Sequence, residues 1–310
     1  MSTTGVDGGG TEAAIGVDVG GTKTAIAFVD SGGALRSLER IENRIEGSSH
    51  ALLASIAARC RRLAALERPV AIGVALPEVL DRERELRSHV SVGWTRQEIL
   101  DALEPIAPVA LEADVRAAAL AEARVGAGRG RTSVGYVSVG TGISAALVLD
   151  GIPYAGAHGA AQLLGSAALP VECRHCGRSF RAAALEDVAS GPALVARYIE
   201  QTRREIATGE ALLASAEAGD EIASGIVQRG AEMLGGYVAL FVNLVDPEVV
   251  VVGGGLGSAG GAYWPAVVAS ARDHIWAEHV VDVPILAAEL AGLAGVVGAG
   301  LLALDATVGD

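Results

Sequence analysis

The sequence predicts an α/β protein of two similar domains, each organised around a strand, a glycine turn and a second strand. Half of the 310 residues are apolar (51%), yet only 4% are aromatic and 41 are glycine. The core must therefore be mainly Ala, Val, Leu and Ile, as in proteins with buried strands and tight turns. Apolar stretches run into glycine turns at Gly20-Gly21, Gly140-Thr-Gly142 and Gly253-Gly-Gly255. Behind the first two turns, which start about 120 residues apart, a second apolar stretch follows at once. That spacing suggests two related domains facing one cleft.

Residues 1–14 read as a polar, glycine-rich tail. The tail contains Asp7-Gly-Gly-Gly-Thr11, but no apolar strand precedes it and it reads as low complexity. Ile15 to Val19 and Ala25 to Val29 are predicted strands flanking a turn that carries Asp18, Gly20, Gly21, Thr22 and Lys23. Backbone amides in such a hairpin can approach an anion closely, because glycine has no Cβ in the way. Lys23 is the sole lysine among 24 fixed positive side chains, which hints at a role for that position.

A helix is expected over Ser49 to Leu66 and a strand over Val70 to Leu76, with irregular chain up to Trp94. A short helix (Arg96 to Leu103) follows, and Pro105 and Pro108 break the chain before a strand at Val109 to Leu111. Ala117 to Ala123 is rich in strong helix formers, and Gly126 to Gly130 ends that helix. The second hairpin pairs Ser133 to Val139 with Ala145 to Leu149 across Gly140, Thr141 and Gly142. Helices are expected over Ala193 to Thr208, Glu221 to Leu244 and Pro265 to Ala277, with a strand at Glu248 to Val252 running into Gly253, Gly254 and Gly255. The Ala- and Gly-rich stretch Leu290 to Leu304 reads as a closing helix that packs tightly.

Composition narrows the function. A net charge of −13 argues against a nucleic-acid surface, which needs clustered Lys and Arg. No cationic and apolar leader opens the chain, and the most apolar run is only strand length, so neither secretion nor a membrane span is expected. Three cysteines cannot all pair within the chain, which points to a reducing cytoplasm. None of the glycine turns fits the Walker A pattern or the Gly-x-Gly-x-x-Gly dinucleotide turn. A P-loop NTPase and a Rossmann dehydrogenase are both disfavoured.

Taken together, the motifs resemble those of the ROK family (repressors, open reading frames and sugar kinases) of the actin-like ATP-binding superfamily. Asp18-Val-Gly-Gly-Thr-Lys23 is similar to the family's first phosphate motif, Gly140-Thr-Gly142 to the second, and Asn243 to Gly255 to its adenosine motif. Leu111-Glu-Ala-Asp-Val-Arg-Ala-Ala-Ala119 resembles Glu-Asn-Asp-Ala-Asn-Ala-Ala-Ala, whose Asp is the family's catalytic base. The resemblance implies two actin-like (ribonuclease H-like) α/β domains flanking an ATP/sugar cleft. It divides the chain into residues 15–112 plus about 291–310, and residues 113–290. Asp114 would be the general base, a carboxylate able to orient a sugar hydroxyl and take its proton. Read from local sequence alone, Asp114 is better explained as an ordinary helix N-cap, and it is the family resemblance that reverses this. Asp18 would hold the Mg²⁺ of ATP through water. Thr22, Thr141 and the glycine amides would cradle phosphates.

The sugar half departs from the family pattern. Where the family has Gly-Ala-Ala-Gly-Glu-Ile-Gly-His, this chain has Gly159-Ala-Ala-Gln-Leu-Leu-Gly-Ser166. Leu163 thus stands at the sugar-binding Glu and Ser166 at the zinc-ligating His. Ala113 and Arg116 replace the Asn residues around the base, whereas Glu186 matches a second sugar-contacting Glu. Ser91 and His158 complete the expected substrate set. The family's Cys-x-Cys-Gly-x-x-Gly-Cys is broken to Cys173-Arg-His-Cys176-Gly-Arg-Ser-Phe180. Cys173, His175 and Cys176, with His158, offer a rearranged donor set, so zinc is an open alternative and not an expectation. A site built to hydrogen-bond particular hydroxyls rejects analogues, so these changes point from plain glucose toward an amino sugar or a cyclitol. The expected activity is ATP-dependent phosphorylation of a primary hydroxyl on a hexose-like molecule by a homodimer. The alternatives are a catalytically silent sugar sensor on the same scaffold and a ROK regulator. The second is disfavoured because only 14 residues precede the first strand, too few for a helix-turn-helix.

Overall fold

The computed structural model describes residues 12–43, 47–168, 170–172, 176, 179–181 and 183–308, so the tail with Asp7 to Thr11 lies outside the described residues. The chain forms two compact units, residues 1–117 with 295–310, and residues 118–294.

The first unit contains β1 (Ala13–Val19), β2 (Lys23–Asp30), β3 (Leu35–Glu42), α1 (Ser49–Leu66), β4 (Ile72–Leu76), α2 (Arg96–Leu103) and β5 (Val109–Ala113). Its strands form one sheet in the order β3-β2-β1-β4-β5. β1 is antiparallel to β2 and parallel to β4, and β4 is parallel to β5. Period-two alternation sorts the side chains by face. Ile15, Val17, Ile72, Val74, Leu111 and Ala113 join the apolar core with Leu52, Ile56 and Leu63 of α1 and Ile99 and Leu103 of α2. The opposite face carries small residues, and the C-terminal helix Ala294–Val308 lies against it. Gly16 and Gly73 are paired across β1 and β4. A Cβ on either would overlap the backbone of that helix, at the Val296 and Ala299 carbonyls. The small residues thus allow a backbone approach that any larger side chain would prevent. β3 is an addition to the predicted elements: its mixed burial and polar residues left no period to read.

The chain passes from the first unit to the second within α3 (Asp114–Val125), which begins at Asp114, three residues before the stretch picked out by propensity. The second unit holds β6 (Ser133–Val139), β7 (Ile143–Leu149), β8 (Ile152–Pro153), the ribbon β9 (Pro170–Glu172) and β10 (Ser179–Arg181), and the helices α4 (Glu186–Ala189), α5 (Gly191–Thr202), α6 (Gly209–Glu217) and α7 (Glu221–Val245). It continues with β11 (Val249–Gly253), α8 (Gly254–Gly257), α9 (Tyr263–His274) and β12 (Ile285–Ala287). The main sheet runs β12-β11-β6-β7-β8. The helix expected through Thr208 stops at Thr202, because Arg203 takes a left-handed conformation (φ 61°). Thr208 then caps α6, its hydroxyl accepting the Ala211 N–H at 3.2 Å. α7 and α9 bury Leu234, Val238, Val242, Val267 and Ala271 against Val250 and Val252 of β11.

Candidate active site

Three carboxylates of the first unit gather at one sheet edge. Asp18 on β1 lies opposite Ala75 on β4, and Ala75 lies opposite Glu112 on β5. Asp114 follows directly on Ala113, the last residue of β5, and Glu78 stands two residues beyond Leu76, the last residue of β4. These are the carboxyl ends of parallel strands, where open α/β sheets place ligands because the loops there are free to diverge. Asp18 falls on the small-residue face, against the first turn of the C-terminal helix. Gly295 is needed there, since a Cβ would overlap the Asp18 carboxyl.

Asp114 is the first residue of α3, half-buried, and accepts the Val115 N–H at 2.6 Å. Burial, with the charges of Asp18 and Glu78, pushes its pKa up to about 7, against the opposing pull of the Val115 amide and Arg116. Burial alone pushes Asp18 up to about 6. Among the described residues, no hydrogen bond or ion pair reaches the Asp18 carboxylate. A half-buried carboxylate without a counter-charge fits a hydrated divalent cation, and Mg²⁺ needs only one or two protein carboxylates beside phosphate oxygens.

The first glycine turn closes with the Gly20 N–H on the Lys23 carbonyl at 2.9 Å, leaving Gly21, Thr22 and Lys23 exposed. Asn43, which sequence reasoning missed, pins this turn. Its amide donates to the Gly20 carbonyl at 2.7 Å, its carbonyl accepts the Thr24 hydroxyl at 2.9 Å, and its backbone N–H meets the Thr22 carbonyl at 2.9 Å. Lys23 pairs with Glu42 at 3.3 Å in an exposed contact, worth little to stability.

Two positions expected to face substrate are internal. Ala113 is 6% exposed and belongs to the core beside α1 and α2, on the face opposite Glu112. Arg116 is 4% exposed: its Nε donates to Glu112 at 2.7 Å and its NH2 group to the Leu80 carbonyl at 3.0 Å. Arg84 holds the other Glu112 oxygen at 2.5 Å. Arg116 is a buried structural partner of Glu112, four residues before it at the end of β5, and its guanidinium is turned inward and not toward a sugar. The long-range partners Glu112 and Arg84 carried no local signal. Ser91 is exposed on the loop before Trp94, and Glu78 holds the backbone beneath it.

In the second unit, the other two glycine turns sit side by side because β6 and β11 are parallel neighbours. The Gly140 N–H reaches the Gly142 carbonyl at 3.0 Å, and Thr141 and Gly142 are exposed. A Cβ on Gly140 would lie 3.8 Å from the Gly255 nitrogen. Gly254 adopts φ +82°, and a Cβ there would overlap Val139. Gly253 is pressed against the Tyr136 hydroxyl in the same way. Glu186 lies beside the second turn, with Oε2 3.4 Å from where a Gly142 Cβ would stand. Ser166, which stands at the family's metal-ligating His, donates to Glu186 Oε1 at 3.1 Å. Leu163 is 53% exposed, an isobutyl group offered to solvent, and His158 is exposed. Gln162, between them, takes φ 57°, a conformation that favours glycine. Cys176 is an exposed free thiol, while Cys173 and His175 lie outside the described residues.

Residues 14–306 match the profile of the ROK family. The chain belongs to the ROK family. A ROK hexokinase from Thermus thermophilus is 32% identical, with a TM-score of 0.76 over 96% of this chain and all of that one. A ROK glucokinase from Streptomyces griseus, solved with glucose and AMPPNP, is 26% identical, with a TM-score of 0.80 over 94% of this chain and 99% of that one. The Halalkalibacterium halodurans glucokinase is 29% identical over 62% of this chain, a match that spans 63% of that relative's length. The actin-like ROK architecture, with mixed five-stranded sheets and flanking helices, is therefore this chain's architecture. No helix among the described residues of this ROK protein is long and apolar enough to cross a membrane.

Proposed function

We propose that the protein is an ATP-dependent carbohydrate kinase in which Asp114 takes the proton from a primary hydroxyl of a hexose-like acceptor. The single observation that carries this is Asp114 at the end of β5 with its pKa near 7. A general base is most effective when its proton affinity lies near the working pH. As the hydroxyl proton passes to a carboxylate oxygen of Asp114, the acceptor oxygen forms its bond to the γ-phosphorus. The bond from that phosphorus to the β,γ-bridging oxygen breaks, and ADP leaves with the electron pair. Asp18 would hold Mg²⁺ through its water shell, and the ion would supply positive charge against the phosphate oxygens. Thr22 and the amides of the first turn would offer donors to phosphate oxygens, and so would Thr141 and the glycines of its own turn. Gly253, Gly254 and Gly255 would leave room for the adenosine part. ROK membership and the kinase relatives support this reading.

Among acceptors, the residues favour an amino sugar or a cyclitol over glucose. Leu163 cannot hydrogen-bond a hydroxyl and Ala113 and Arg116 are withdrawn inside, while Glu186 is kept and accepts from Ser166 through Oε1 alone among the described residues. Each loss removes a polar partner that would discriminate one hydroxyl from another. The test is ATP turnover with a panel of hexoses, amino sugars and cyclitols, beside Asp114→Asn. Phosphorylation of an amino sugar or cyclitol well above glucose is expected. If no acceptor exceeds the mutant's background, the kinase reading fails in favour of a silent sugar sensor.

A further inference from the structure

We infer that Glu78 is a positioning residue for the acceptor: its carboxylate clamps the backbone of residues 90–92 so that Ser91 is presented in one geometry. The clamp itself is read from hydrogen bonds, while its role in turnover rests on the kinase proposal. Glu78 is 5% exposed. Its Oε1 accepts the Ser91 N–H at 2.7 Å and the Val92 N–H at 2.9 Å. Its Oε2 accepts the Val90 N–H at 3.0 Å and the Ser88 hydroxyl. Three successive amides converging on one carboxylate make an anion nest filled by the protein's own side chain. Burial raises the proton affinity of Glu78, but the bonds from Ser88 and from the Val92, Ser91 and Val90 amides outweigh it and hold the pKa below the usual carboxylate range.

The rest of the loop is tied down with equal care. Ser88 Oγ accepts the Val79 N–H at 2.9 Å, closing the clamp on the residue next to Glu78. At the far end Trp94 is fully buried, and its indole N–H donates to the Ser49 carbonyl at 2.8 Å. Between these anchors His89, Val90 and Ser91 are exposed, Val90 by 87%. Exposed loop tips are ordinarily mobile, and these side chains add nothing to the core. A buried charge spent on holding an exposed tip points to what the tip presents. Glu78 also stands just past β4 and Asp114 just past its neighbour β5, near enough for the charge of Glu78 to act on that carboxyl. The clamped tip and the proposed base therefore share one edge of the sheet.

Glu78→Gln keeps the size but turns one acceptor oxygen into an NH₂ that faces donors. Native-state hydrogen exchange at the Val90, Ser91 and Val92 amides is expected to quicken about ten- to a hundredfold, the scale of a hydrogen bond to a charged group. Amides of β1 and β4 should stay as protected as before. Unchanged exchange at 90–92 overturns the clamp. In kinetics with an acceptor that the wild type phosphorylates, the acceptor KM should rise about tenfold or more, with the ATP KM held and kcat within a few-fold. Ser91→Ala should move the same constant, and the double variant should be no worse than Glu78→Gln. An unchanged acceptor KM overturns the positioning role. Ser91→Ala, at an exposed side chain, decides that point if Glu78→Gln folds poorly. Should the wild type phosphorylate nothing, the kinase reading falls and takes the acceptor role with it, while exchange still decides the clamp.

Discussion

Replacing Asp114 by Asn should make the protein more stable and catalytically silent at once. In the folded protein burial and the Asp18 and Glu78 charges push Asp114 from its ordinary 3.8 up to about 7. Because the folded pKa is raised, stability from this group is complete below the unfolded pKa and is lost as pH rises through the folded one. Ionised Asp114 therefore weighs most on the fold above pH 7. A shift of roughly three units at ~1.4 kcal/mol each sets a ceiling of ~4 kcal/mol. Solvent reaches the half-buried carboxyl, and Asn gives up the charge on the 2.6 Å bond from the Val115 N–H. The expected net gain at pH 8 is about 1–2 kcal/mol. Denaturant unfolding of both proteins at pH 4 and pH 8 measures it. The advantage of Asn should be near zero at pH 4, grow between pH 4 and 7, and level off above. Phosphoryl transfer at pH 8 should fall by at least ~100-fold, the lower range for a lost general base. A mutant equally or less stable at pH 8, or one still turning over, refutes the assignment of Asp114 as a strained base.

Other outcomes follow from the same site. With Asp18 near 6 and Asp114 near 7, kcat/KM should fall below about pH 7, the pair titrating together; a flat profile from pH 5.5 to 8 counts against a carboxylate base. Arg116→Gln should cost about 3 kcal/mol in chemical denaturation, because Glu112 loses its buried partner; a cost under ~1 kcal/mol would mean that Arg84 alone suffices. Gly73→Ala should destabilise by at least ~1–3 kcal/mol, since its Cβ would meet the Ala299 carbonyl; an unchanged Tm would show that the C-terminal helix shifts freely. Lys23→Ala should leave stability within ~0.5 kcal/mol while raising the ATP KM several-fold; an unchanged KM reduces Lys23 to its exposed pair with Glu42.

What the sequence by itself determined was the local grammar. The apolar period of β1, β4, β5, β6 and β11, the glycine turns that end three of them, and the helix that begins at Asp114 were all legible, because strand alternation and glycine chemistry act over a few residues. β3, β12 and the break between α5 and α6 were not legible, since a polar strand and a left-handed Arg203 carry no period. The site was legible as a set of motif positions, and no further. Only the tertiary structure decided which of them face outward. Strand pairing set Asp18, Glu78 and Asp114 along one edge, turned Ala113 into the core and bound Arg116 to Glu112. Glu78 and Asn43 gain their meaning from amides and carbonyls 12 to 23 residues away. Such partners are chosen by how the chain folds back on itself, and a one-dimensional pattern holds no record of them.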